Sequence, residues 1–301
     1  VDAKPAALDR YVGASLIKVN AAEALEYVPD TGEHPAMLFE DVSSQADVLA
    51  RKMLSKLQTS VVVVTTGDSG AVIACGTAAW RRPAATTNVV DTTGAGDTFL
   101  AALAKQMLSS RYIVDAVDWA NQAAAVAVGQ LGTTIVSLGD VAERLASKPG
   151  VTLTHEEVIA VVQKWKNNGD TVVFTNGCFD LLHHGHVELL QSASRLGRRL
   201  VVAVDTDVSV KALKGEGRPV QDQSTRVDAV SHFADAVTLF SSDELSGLIS
   251  KMLPNVLVKG SEYEDKKIVG ADRVLAEGGQ VKFVLMVPGV STTTILVAAA
   301  S

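Results

Sequence analysis

The sequence predicts an α/β protein in two parts. Three observations carry that expectation. Short β-branched runs alternate with alanine-rich helical segments through the first half, a strand–helix–strand unit opens the second, and a Pro-Gly break lies between them. With 301 residues, 47% of them hydrophobic, the chain can fill two cores.

In the first half, residues 16–19 and 61–66 read as strands, and residues 71–75 follow the turn GDSG as another. Residues 99–108 and 114–129 are alanine-rich with apolar residues at helical spacing, which predicts packed helices. Across SLGDVAERLASKPGVT the pattern loosens, and Pro149 and Gly150 punctuate it, so the boundary is expected between a domain 1–148 and a domain 149–301. Thr154 then opens a helix, with Glu157 three residues on to complete a capping box. TVVFTN, VELLQSASRLG and RLVVAVDTD form a βαβ unit and therefore a parallel sheet, which residues 236–240, 256–259 and 281–287 should extend. No internal repeat is evident.

The formal net charge of -7 argues against a nucleic-acid-coating protein, because that role needs clustered Lys and Arg to displace counterions. A small-molecule partner is expected instead. Cys75 and Cys178 are too few for a disulfide scaffold and fit a reducing cytosol. No apolar run reaches the roughly 18 residues that span a bilayer, so no membrane role is expected and the location reads as cytoplasmic. Val1 stands where Met would initiate, and VDAKP has no leader character. The chain is therefore expected to begin inside a longer protein.

The strongest signal of the first half is DTTGAGDTF, placed before an apolar helix. Gly94, Ala95 and Gly96 leave backbone amides bare at a helix N-terminus, where charge on a transferred phosphoryl group can be held. Asp97 in the first turn could take the proton from an attacking hydroxyl. A lone GxGD reads more plainly as an Asp complementing a helix dipole behind a glycine turn. Asn20 and Glu23 in NAAE are spaced to hold a hydrated magnesium ion, and Thr65, Gly67 and Gly70 in TTGDSG form a turn where a nucleotide could approach backbone. In this order IKVNAAE, VVVVTTGDSGAV, DTTGAGDTF and WANQAAAVAVGQLGT resemble the C-terminal half of the ribokinase-like (PfkB-type) sugar kinases. The resemblance implies Asp97 as base, Gly94 to Gly96 as anion hole, Asn20 and Glu23 at magnesium and phosphate, and Thr65, Gly67, Gly70 and Asn121 near the nucleotide. Family members carry much of the sugar site upstream of the segment resembling VDAKP, so this chain is not expected to phosphorylate a sugar.

In the second half, FTNGCFDLLHHGH places two glycines and three histidines between a strand and a helix. Cys178, His183 and His186 are the only local zinc set, with nothing to complete the shell. A packed core stripe fits poorly with Gly177 and Gly185. A phosphate site uses every residue: the glycines let backbone approach a nucleotide, the helix beginning near His186 aims amides at it, and the imidazoles can donate to an α-phosphate and a departing pyrophosphate.

FTNGCFDLLHHGHVELL resembles the signature of the cytidylyltransferase-like nucleotidyltransferases (the HxGH superfamily), and VAVDTD, KALKGEGRPV, STRVDAV, VLVKGSEY and VPGVSTTTIL match downstream blocks. This implies a Rossmann-like parallel sheet, with His183 and His186 at the triphosphate, Cys178 out of the chemistry and His184 a spacer. Lys214 becomes a phosphate cation and Arg226 a second. Phe174, Asn176, Gly177, Gly185 and Lys259 fall in the nucleotide site, and Ser291, Thr292 and Thr293 in a second phosphate motif. Asp205 and Asp207 read as structural or ribose-facing. Val290 and Ile295 stand where some relatives carry a basic residue near that motif, so Lys211, Lys214, Arg218, Arg226 or Lys259 must supply more charge.

A partial ribokinase-like domain followed by a nucleotidyltransferase domain resembles the bifunctional D-glycero-β-D-manno-heptose 7-phosphate kinase / heptose 1-phosphate adenylyltransferase family. The resemblance implies transfer of AMP from ATP to a heptose 1-phosphate, a Mg2+ cofactor, small-molecule substrates and a homo-oligomer. Two alternatives stand beside it: a cytidylyltransferase acting on glycerol 3-phosphate or another small phosphate, and a degenerate nucleotide-binding remnant.

Overall fold

A computed structural model describes residues 1–29, 42–85, 88–108 and 112–285. The chain divides into two compact units, Val1–Val136 and Ser137–Ser301.

The first unit contains β1 (Leu16–Asn20), α1 (Ala21–Tyr27), α2 (Val42–Leu57), β2 (Val61–Thr65), β3 (Ala71–Cys75), β4 (Ala78–Arg82), α3 (Ala95–Met107) and α4 (Ile113–Val128). Its sheet runs β1-β2-β3-β4, with β1 parallel to β2 and the remaining pairs antiparallel. Val61 to Val64 are all buried, as expected of a β-branched run covered on both faces. Leu49, Ala50, Met53 and Leu57 of α2 pack against Ile17, Val19, Val62 and Val64. The expected turn joins β2 to β3. Its Gly70 has φ +95, and a Cβ there would lie 2.1 Å from the Arg82 carbonyl oxygen, so only glycine lets β4 pass this closely.

The second unit contains α5 (Leu138–Ala146), α6 (His155–Asn167), β5 (Val172–Gly177), α7 (His184–Ser194), β6 (Arg199–Asp205), α8 (Asp207–Lys214), α9 (Gln223–Ser231), β7 (Ala236–Phe240), α10 (Leu245–Met252), β8 (Val256–Gly260), α11 (Ala271–Ala276) and β9 (Gln280–Val284). The 5-stranded sheet has the order β7-β6-β5-β8-β9, all parallel. Strand period decides which face each residue fills. Val172, Phe174, Val201 and Ala203 point toward α6 and α10, while Val173, Val202 and Val204 point toward α7 and α9.

The structure puts the division between units before α5 rather than after residue 148. The reason is packing of α5 on α6. Lys164 pairs with Asp140 at 2.6 Å and Glu143 at 2.7 Å, and Trp165 Nε1 donates to Glu143 at 2.7 Å. Gly139 lies so close that a Cβ would meet the Ala160 carbonyl oxygen at 2.9 Å. The capping box at Thr154 forms as the sequence predicts, with Glu157 accepting from the Thr154 amide at 2.8 Å.

Because β5 leads to β6 on one side while β8 pairs on the other, the strand order reverses beside β5. A crevice at the carboxyl ends of such strands is where open α/β sheets take ligands. The β5–β8 ladder pairs Val173 with Val256 and Phe174 with Leu257, and beyond that register the two strands are no longer hydrogen-bonded.

Candidate functional site

Each unit presents a helix N-terminus near the ends of parallel strands, and the two are built differently.

In the first unit Gly94 caps α3 with φ +77, and Asp91 fixes the approach by accepting from the Thr93 amide and hydroxyl and from the Gly132 amide at 2.9 Å. Ala95 already donates to the Thr92 carbonyl at 3.2 Å, so the open first-turn amides begin at Gly96. Asp97 is exposed in that turn. Asn20 and Thr65 sit side by side at the carboxyl ends of β1 and β2, in register with each other.

Lys18 was not expected. It is buried, pairs with Asp2 at 3.0 Å, and its amine lies 3.3 Å from where a Gly96 Cβ would stand. Gly96 therefore makes room for a cation beside the α3 amides. The readable signal was a lysine between Ile17 and Val19 in an otherwise apolar strand.

The other expected residues of this unit are held by local ties. Asn20 and Glu23 form a capping box: the Asn20 side chain accepts from the Glu23 amide at 2.8 Å, and Glu23 accepts from the Asn20 amide at 3.0 Å. The other Glu23 oxygen holds Lys4 at 2.9 Å. Each Glu23 oxygen thus takes one local partner, and the Lys4 side chain on one of them stands largely exposed. Asn121 is buried and donates to the Pro83 carbonyl at 3.2 Å, a tie between α4 and the segment after β4. Thr65 donates to the Val19 carbonyl at 3.3 Å, while Gly67 lies open in the turn before Gly70.

In the second unit α7 begins at His184, two residues before the expected start, with His183 as its N-cap residue. The rings of His183 and His186 stack with centroids 3.8 Å apart, and Phe179 meets His186 edge-on at 5.4 Å. Gly177 leaves space for that Phe179 ring, which a Cβ would meet at 3.3 Å. Gly185 is buried between the two histidines.

The Leu181 carbonyl, 3.1 Å from His186 Nδ1, can only accept, so Nδ1 carries the proton and Nε2 presents a lone pair. Burial, reinforced by His183 and Lys214, pushes His186 down to about 4. Burial and then Lys214 lower His183 as well. Lys214, at the end of α8, thus acts on both rings. At the carboxyl end of β5, Thr175 Oγ1 and Asn176 Oδ1 are buried without a hydrogen-bond partner, as is His183 Nδ1 at the α7 cap. Such orphans are rare in a finished core and suit a polar ligand.

Other expectations for this unit resolve by burial. Phe174 is fully buried against α6 and α10, so it is a core residue and not a nucleotide contact. Arg226 is fully buried and donates to the Gln221 carbonyl at 3.0 Å, the Cys178 carbonyl at 2.5 Å and Asp207 at 2.7 Å, which leaves it unsuited as a phosphate cation. Lys259 donates to the Asn176 carbonyl at 2.8 Å, bridging β8 to β5 where their ladder opens, and burial lowers it to about 8. Asp205 accepts from Ser209 at 2.8 Å and Cys178 at 3.4 Å, and Asp207 holds Arg226.

Cys178 is not a thiolate. Burial, with Asp205 adding to it, raises its thiol to about 11. His184 is exposed and pairs with Glu188 at 3.3 Å, away from the stacked rings. Ser291, Thr292 and Thr293 lie outside the described residues. Among the described residues no cluster of His, Cys, Asp or Glu forms a metal cage, and no helix is long and apolar enough to cross a membrane.

Comparison with known proteins finds two family matches, one in each part of the chain. Residues 2–138 match the pfkB family carbohydrate kinases, and residues 174–295 match the cytidylyltransferase-like family. The chain is similar to the bifunctional protein HldE of Shewanella sp. (strain ANA-3), 39% identical over 98% of this chain and 62% of the relative. HldE of Azorhizobium caulinodans shows the same identity and the same shares. The chain therefore spans 62% of the length of these relatives. A ribokinase structure from Thermotoga maritima aligns at 29% identity over 40% of this chain and 37% of that one, with a TM-score of 0.33. The chain is an α/β protein similar to the pfkB carbohydrate kinases over residues 2–138 and to the cytidylyltransferase-like family over residues 174–295.

Proposed function

We propose that the second unit transfers AMP from ATP to D-glycero-β-D-manno-heptose 1-phosphate, releasing pyrophosphate and ADP-heptose, and that the first unit is silent as a heptose 7-phosphate kinase in this chain. The observation that carries the reading is the stacked His183–His186 pair at the start of α7, with Lys214 acting on both rings and orphaned polar atoms at the preceding strand end. An oxygen of the sugar 1-phosphate attacks the α-phosphorus of ATP, and the bond from that phosphorus to the bridging oxygen breaks. The electron pair leaves with pyrophosphate, so no covalent intermediate on the protein is needed.

The residues supply position and charge. The α7 amides and Lys214 meet the phosphates. His183 and His186 rest neutral because they are desolvated, and the negative charge of a triphosphate would draw protons onto them, turning lone pairs into donors as charge builds on the leaving group. Lys259 holds the crevice open at the β5–β8 divergence by fixing the Asn176 carbonyl. The kinase reading rests on the open α3 amides, exposed Asp97 and Lys18. The chain works as a cytoplasmic enzyme on small phosphates.

A pyrophosphate-release assay crossing ATP and CTP with heptose 1-phosphate and glycerol 3-phosphate tests the reading. Turnover with ATP and the heptose is expected; turnover confined to CTP and glycerol 3-phosphate replaces it with the cytidylyltransferase alternative, and no turnover with any pair favours a binding remnant.

A further inference from the structure

The segment 215–221 follows Lys214 directly, so its placement decides where that cation stands. Two buried side chains fasten it. Asp180, fully buried, accepts from the Val220 amide at 2.6 Å and the Gln221 amide at 3.3 Å through one oxygen, and its other oxygen lies 2.5 Å from Arg218 Nε. That ion pair is close but off the hydrogen-bond axis, since Arg218 Nε, Arg218 Nη2 and Asp180 Oδ2 all lack an aligned partner. Arg226 completes the tie by joining Gln221, Cys178 and Asp207 through three guanidinium nitrogens.

Both anchors start from the same short stretch. Cys178 and Asp180 lie between β5 and α7, just ahead of His183. The fasteners therefore connect the histidine turn to the far end of the segment that begins at Lys214. Arg226 alone spans both ends of this arrangement, because Asp207 is the first residue of α8 and Lys214 the last.

We propose that Asp180 and Arg226 are positioning residues that hold the 215–221 segment against the histidine turn and so set Lys214 opposite His183 and His186 for nucleotidyl transfer. The inference rests on the function proposed above. A buried carboxylate taking two backbone amides and a guanidinium fixes backbone, and displacement of a catalytic cation by about 1 Å can cost on the order of a hundredfold in rate. Neither residue needs to touch substrate.

The test uses the full chain with Asp180→Asn, which keeps the shape but removes the charge facing Arg218. Pyrophosphate release is read as kcat and KM, alongside trypsin cleavage after exposed Lys211 and Lys214 and the thermal transition. The expected result is a fall in kcat of about tenfold to a hundredfold, KM for ATP within about threefold, faster cleavage at Lys214, and a cooperative transition. If Asp180→Asn does not fold, Val220→Pro removes the donated amide from an exposed position while leaving Asp180 in place, and the same readouts apply. Unchanged kcat with a loosened segment overturns the inference, as does a loss of kcat matched by general proteolysis, which would mark a purely structural role. Wild-type silence with every acceptor sinks the functional reading instead, so the two failures are told apart.

Discussion

Both units offer a helix N-terminus to an anion, α3 in one and α7 in the other, yet they use their polar groups in opposite ways. In the first unit two of the carboxylates near the site take local partners, Glu23 its capping box and Lys4, Asp91 Thr93 and Gly132, while Asp97 stays exposed. In the second unit the carbonyl of Leu181 orients one imidazole, while Thr175, Asn176 and His183 each keep a buried atom without a partner. A buried orphan costs about 1–3 kcal/mol, so a site that keeps several is held in readiness for a ligand. The comparison teaches that a matching glycine-rich motif marks where an anion can sit, and that unsatisfied, desolvated groups around it mark where the chain is prepared to receive one.

The widest contrast is between the two activities themselves. The chain supplied with ATP and heptose 7-phosphate is expected to release no ADP above the blank, while pyrophosphate release with heptose 1-phosphate proceeds. Robust sugar phosphorylation would break the contrast at once. Within the second unit, His186→Ala should lower kcat for pyrophosphate release by about 10²–10³-fold, the size of losing one preorganised donor to developing charge, with the circular dichroism spectrum retained. An unchanged rate would remove the histidines from the chemistry and leave the two units alike.

The first unit should answer instead through stability. At Gly70 an alanine would need a left-handed backbone and a Cβ placed 2.1 Å from a carbonyl oxygen, so Gly70→Ala should cost about 2–4 kcal/mol in denaturant unfolding. Gly67 also has a positive φ, of +65, but faces open space, and Gly67→Ala should cost only about 1 kcal/mol. Equal costs at the two glycines would mean that β4 does not pass Gly70 as closely as described.

Much of this was legible in the sequence, and what was not shares a physical cause. The βαβ unit, the capping box at Thr154, the turn at Gly67 to Gly70 and the HxGH turn are local patterns, decided by residues within a few positions of one another. Arg226 was misread because its partner Cys178 is 48 residues away, and only the folded chain shows its guanidinium used up. Phe174 was misread because the motif places it in a functional stretch, whereas strand period turns it into the core. Asn20 and Glu23 carried two local meanings at the same spacing, a cap and a cation pair, and the capping box satisfies two amides that nothing else would. Asp180 drew no attention since a single Asp beside a motif has no pattern of its own. Its role exists only through Val220, Gln221 and Arg218.

Acid sharpens the comparison further. His186 is pushed down to about 4 from an ordinary 6.5 because burial disfavours its charged form. Between those values the unfolded chain binds a proton that the folded one does not, so stability falls as pH drops from 6.5 toward 4 and is untouched above 6.5. His183, lowered in the same direction, adds to the upper part of that window. By about pH 5 the loss should be on the order of 2 kcal/mol, and His186→Gln should flatten it. Carboxylates held below their ordinary values, Asp91 from 3.8 and Glu23, Glu143 and Glu244 from 4.5, add their loss mainly below about pH 5, so the upper part of the window belongs to the histidines. Five of the six histidines in the sequence lie in the second unit. Hydrogen exchange between pH 7 and 5 should therefore show protection lost in β5 and β6 before β2 and β3. Equal loss in both sheets would mean that the histidine pair is not desolvated, and the readiness ascribed to the second site would go with it.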